Sequence, residues 1–99
     1  MTITTRQEDT TIILDIEGRV DTNTSPELQA KILEAFQSAR KLILNFEKVP
    51  YISSAGLRAL LIGQKTSTSK NATMEMINVS EMVMSVLDSV GFSQILTIK

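Results

Sequence analysis

The chain has 99 residues, which is room for one domain whose core folds without staples. It has neither cysteine nor histidine, which removes disulfide frameworks, thiolate zinc sites, Ser-His-Asp or Cys-His catalysis and a histidine phosphorelay. Ten basic and eleven acidic residues, net charge -1, are spread without runs, so the basic stripe needed for nucleic acid or an anionic membrane is missing.

The N-terminus, Met1-Thr2-Ile3-Thr4-Thr5-Arg6, has no apolar core of a signal peptide, and no apolar stretch approaches a bilayer span. A cytoplasmic protein without membrane insertion is expected. Residues 2–8 and 11–17 read as two short strands joined around Asp9-Thr10; Thr11-Ile12-Ile13-Leu14-Asp15-Ile16-Glu17 is rich in β-branched residues. Gly18 closes the second strand. After Arg19-Val20-Asp21 the polar stretch Thr22-Asn23-Thr24-Ser25 leads into a helix. Thr24 or Ser25 is placed to cap it, Pro26 suits its first turn, and Thr24 with Glu27 has capping-box spacing. Leu28, Ile32, Ala35, Phe36 and Ala39 form its apolar face.

Lys41-Leu42-Ile43-Leu44-Asn45-Phe46 is an apolar run, expected as a strand covered on both faces. Leu57, Leu60, Leu61 and Gln64 mark a second helix, opened by Ser53-Ser54 and fading through Thr66–Asn71. A strand fits Thr73–Ile77. Ser80 caps a third helix with Val83, Val86, Leu87 and Val90 inward, and Gly91 ends it in the left-handed conformation with Phe92 beside it. Gln94–Ile98 makes a last strand. Met74, Met76, Met82 and Met84 read as core filler with some methionine surface left over. The order β-β-α-β-α-β-α-β is that of an α/β domain spanning 1–99, its sheet mostly parallel with an antiparallel edge strand.

Chemistry in such sheets gathers beyond the carboxyl ends of the strands. Two places stand out by composition, Asp21–Ser25 and Tyr51–Gly56. If Ser53 caps the second helix, Ser54 takes its first position beside the free amides of Ala55, Gly56 and Leu57, where an added anion is tolerated. A phosphoryl group there would bring about -1.5 to -2 charges without unfolding the domain. Ala55 and Gly56 leave the hydroxyl open to a partner. Residue chemistry alone also accommodates an ordinary cap in Ser53-Ser54, a turn residue in Asp21 and a packing residue in Tyr51. No paired carboxylates suggest catalysis, no Gly-rich loop suggests a nucleotide, and no cofactor or metal is expected.

The string Leu42–Leu61, with Ser53-Ser54-Ala55-Gly56-Leu57-Arg58 at its centre, resembles the STAS domains shared by bacterial anti-sigma-factor antagonists and sulfate-transporter tails. Gly18-Arg19-Val20-Asp21 with Thr24-Ser25 resembles the family's other loop, and Asn78-Val79-Ser80 through Gly91-Phe92 and Ile95–Ile98 its C-terminal third. The resemblance implies phosphorylation of Ser54, two positions before Gly56, with Ser53 as alternate where the family often has Asp. It implies a partner surface of Asp21, Thr24, Ser25, Ser53, Ser54, Ala55, Gly56, Leu57 and Arg58. The implied partners are an anti-sigma factor of the histidine-kinase-like ATPase fold and a metal-dependent serine phosphatase, acting on a monomer that is not itself an enzyme. The alternatives are an unphosphorylated subunit of a lipid transporter or sensory complex, and a small-ligand or nucleotide-binding module.

Overall fold

Strands β1 (Thr2–Glu8) and β2 (Thr11–Glu17) form an antiparallel hairpin in a computed structural model that describes residues 1–99. Asp9 makes the turn at φ 57°, a left-handed conformation that Asp tolerates better than most residues. The chain continues through α1 (Ser25–Ala35), β3 (Lys41–Lys48), α2 (Ser54–Ser69), β4 (Thr73–Ile77), α3 (Glu81–Ser89), a 3-10 turn (Phe92–Gln94) and β5 (Thr97–Ile98). The order is the one expected. The last strand is shorter than predicted, because Phe92–Gln94 curls before Thr97 can pair with Glu75.

The five strands lie side by side in chain order, β2 to β5 all parallel. Right-handed crossovers between successive neighbours carry every helix to the same side. Strand residues are accordingly buried on one face only: Ile12, Leu14 and Ile16 of β2, Leu42, Leu44 and Phe46 of β3, Met74 and Met76 of β4. They pack on Leu28, Ile32, Leu57, Leu60, Val83 and Leu87 from the three helices.

This corrects the reading of β3 as covered on both faces: Ile43 and Asn45 are half-exposed on the bare side. The methionines divide as expected into core and surface: Met74 and Met76, two apart on β4 and so on one face, are both buried, whereas Met82 is 64% exposed. The bare face carries a polar chain. Arg6 donates to Asp15 at 2.6 Å, Asn45 donates to Asp15 at 2.8 Å, and Asn78 donates to Asn45 at 3.0 Å. Lys41 pairs with Glu75 at 3.4 Å across the same sheet.

Two helix readings change. In α2 the segment Thr66–Ser69 stays helical. The hydroxyls of Thr66, Ser67 and Thr68 donate to carbonyls of their own helix (Ile62, Gln64 and Gln64) and so do not unwind it. In α3, Val83 and Leu87 are buried as expected, whereas Val90 is 48% exposed because the helix ends at Ser89.

Candidate functional site

The site is built where β2 and β3 run out. Val20 and Ile52 form an isolated parallel bridge beyond the two strands, with the Val20 amide donating to Tyr51 at 3.0 Å and the Ser53 amide donating to Val20 at 2.9 Å. Both bridge side chains are buried, Val20 and Ile52 being 0% and 2% exposed. Alternation then turns their neighbours outward: Arg19 with Tyr51 on one side of the bridge, Asp21 with Ser53 on the other. The Arg19 guanidinium lies 4.2 Å from the centre of the Tyr51 ring, a cation–π contact. Tyr51 is therefore half-exposed surface and not simply packing. The sequence reading missed Arg19, whose only signal was its register opposite Tyr51.

Gly56 welds this arrangement together. A Cβ at that position would stand 2.6 Å from Ile52 Cγ1 and 2.7 Å from Val20 Cγ1. The first turn of α2 can approach the bridge only because the side chain is absent. The expected role, leaving a neighbouring hydroxyl open, gives way to a packing one.

Ser53 is the cap of α2. Its backbone is extended and its Oγ accepts from the Gly56 amide at 3.4 Å. Ser54 is then the first helical residue, and its side chain is exposed. Of the two serines, one hydroxyl is engaged in holding the helix end and the other faces solvent.

The other loop folds around Asp21. Its Oδ1 accepts from the amides of Asn23 at 2.9 Å and Thr24 at 3.1 Å and from the Thr24 hydroxyl at 3.2 Å. The Thr24 amide first, then that of Asn23, the Thr24 hydroxyl and the charge of Arg19 hold the Asp21 carboxyl below its ordinary pKa. Thr24 does not cap α1, and no capping box with Glu27 forms. The Thr24 hydroxyl is already committed: its one proton is shared between the Arg19 carbonyl at 2.8 Å and Asp21 Oδ1, and its oxygen accepts from the Asp21 amide at 2.9 Å.

The predicted surface residues thus divide by depth. Ser54 and Arg58 are exposed, and Asp21, Thr24, Ser53 and Ala55 are half-exposed. Ser25 and Leu57, at 6% and 8% exposure, and Gly56, all expected at the surface, are buried and support it from beneath. Pro26, Ala30, Leu33, Arg58 and Ala55, the residue after Ser54, line a shallow groove between α1 and α2.

The family model described as "STAS domain" matches residues 2–99. The chain belongs to the STAS family. Solved structures agree at the level of fold. SpoIIAA, an anti-sigma factor antagonist solved in its unphosphorylated form, superposes with a TM-score of 0.83 at 21% identity, over 99% of this chain and 88% of that one. An anti-sigma factor antagonist from Mycobacterium paratuberculosis gives 0.86 at 16% identity, over 98% and 83%. A sulfate transporter family protein from Wolinella succinogenes gives 0.78 at 21%, over 88% and 71%. No curated protein matches the sequence. As in those STAS structures, the sheet is mixed, with one antiparallel pair and three helices. No helix is long and apolar enough to cross a membrane.

Proposed function

We propose that this STAS domain is an anti-sigma-factor antagonist, a cytoplasmic binding protein whose affinity for its partner is set by phosphorylation of Ser54. Unphosphorylated, it binds an anti-sigma factor of the histidine-kinase-like ATPase fold through the face carrying Asp21, Ser53, Ser54, Ala55 and Arg58, and frees a sigma factor. The same partner phosphorylates it. The Ser54 oxygen forms a bond to the γ-phosphorus of the partner's ATP as the bond to ADP breaks, and the hydroxyl proton passes to a base of the partner. The new charge, about -1.5 to -2 at neutral pH, separates the two proteins, and a metal-dependent serine phosphatase restores the hydroxyl. The chain acts as ligand and substrate throughout, never as catalyst.

The observation that carries this reading is the division of labour between the two serines. Ser53 Oγ is turned to the Gly56 amide while Ser54 is exposed at the first turn of α2, where the helix dipole favours an anion. The test is intact-mass and phosphopeptide analysis of the protein from its own cells, growing and stressed. One phosphate on Ser54 that varies with condition supports the switch. Its absence in every condition overturns it.

The likeness to the Wolinella succinogenes protein favours a second reading, a STAS unit serving a membrane transporter. Copurification with a membrane transport protein, and not with a soluble kinase-like protein, would select it.

A further inference from the structure

Arg58 follows Ser54 by four residues on α2, so the two are stacked on one face of the helix, and both are exposed. Long side chains on a helix lean back toward its N-terminus, which brings the turn that holds Ser54 within reach of the guanidinium. An anionic group N-terminal to a cation at this spacing is also the favourable order along a helix.

Arg58 has no ionic partner within the chain. The ion pairs of the chain are Arg6–Asp15, Arg19–Asp21 and Lys41–Glu75, and Arg58 is in none of them. Arg19, the other cation at this end of the sheet, is held over the Tyr51 ring with Asp21 beside it at 3.9 Å. Arg58 also lines the α1–α2 groove, together with Pro26, Ala30, Leu33 and Ala55, and no carboxylate lines it. Leu33 is 38% exposed there.

We propose that Arg58 is the internal receptor of the phosphoryl group on Ser54, and that pairing with it withdraws the guanidinium from the groove between α1 and α2. The inference rests on the reading of Ser54 as the phosphorylated residue. In the unmodified protein the guanidinium is free to meet a carboxylate of the partner flanking an apolar side chain seated against Leu33 and Ala55. Once Ser54 is phosphorylated, the planar fork of Arg58 takes two phosphate oxygens and its stem is drawn out of the groove toward the first turn. Phosphorylation then acts twice on the partner, adding a repelling charge and withdrawing the cation that had attracted it.

The experiment uses the full chain with phosphoserine installed at position 54 during synthesis, so it does not depend on any kinase. The second ionisation of the phosphate, about pH 6 in an unrestrained phosphoserine, is followed by phosphorus NMR. In the parent chain its midpoint is expected about 0.3 of a pH unit below that of Arg58→Gln, the size of one exposed helical charge pair, since this ionisation adds one charge. Arg58→Lys should recover part of the shift. Phosphoserine at position 53, the cap five residues from Arg58, should titrate alike with and without Arg58. Equal midpoints for the parent and Arg58→Gln at position 54 overturn the proposal, as does an equal shift at position 53, which would be a general charge effect. Absence of phosphate from the protein in cells sinks the proposed function but leaves this titration unaffected, so the two failures are distinguishable.

Discussion

Ser54 and Gly56 sit two residues apart on α2 and meet opposite demands, one facing solvent and the other facing the bridge of Val20 and Ile52. Ser54→Ala should keep the binding of the unmodified protein and resist phosphorylation, whereas Ser54→Asp should bind the partner at least tenfold more weakly by calorimetry, since about 1.4 kcal/mol of charge repulsion suffices for that. Equal binding by the two variants would count against a charge-based switch. Gly56→Ala separates propensity from packing. Helix propensity alone favours Ala by about 1 kcal/mol, but the new methyl would overlap two buried side chains. Overpacking of that kind costs about 1–3 kcal/mol, so urea denaturation should show a net loss of stability. A gain would mean that α2 is free to slide away from the bridge.

At the scale of elements, the helix caps give the cleanest comparison. Ser53 Oγ accepts from Gly56 at 3.4 Å and Ser80 Oγ accepts from Val83 at 3.2 Å. Replacing either by Ala should cost about 1 kcal/mol in denaturant unfolding; Ser53→Ala should do so without removing the proposed phosphate acceptor, Ser54. The bare face of the sheet sets an acid limit. The hydrogen bond from Arg6, then that from Asn45, hold the Asp15 carboxyl below its ordinary pKa. A depressed carboxylate contributes stability that is present above its unfolded pKa, about 4, and is lost as pH falls through the lower folded value. Asp15→Asn should therefore flatten the fall of the urea midpoint in that acid window and change little near neutrality beyond a uniform offset. Most of these elements were legible from periodicity and caps, with the end of α3 marked by Gly91. What was not legible depended on tertiary choice. The run Leu42–Phe46 looks alike whether one or both faces are covered, and Thr24 could not reveal that its hydroxyl would serve Arg19 and Asp21 in preference to α1. The site was legible as two loops, but the contact of Arg19 with Tyr51 and the packing duty of Gly56 needed the Val20–Ile52 bridge to be seen.

For the whole molecule, protection should be graded across the sheet. Strand β3 lies at its centre, paired with β2 and β4, while β1 is paired on one side only and is exposed along nearly its whole length. In hydrogen-exchange mass spectrometry β3 should be the last strand to exchange, and the amides of β1 that face away from β2 should exchange earliest; uniform protection of β1 would mean that its outer edge is covered in solution. The same topology bears on how the protein is made. Each strand is laid beside the one translated just before it, so no finished part of the sheet has to be parted to admit a later segment. The long-range pairings remain between neighbours in sequence, which shortens the loops that must close. A ribosome thus delivers the polypeptide in the order in which the sheet can use it, and the end that carries the proposed site, made of β2, β3 and the start of α2, can be assembled before β4 and β5 have been synthesised.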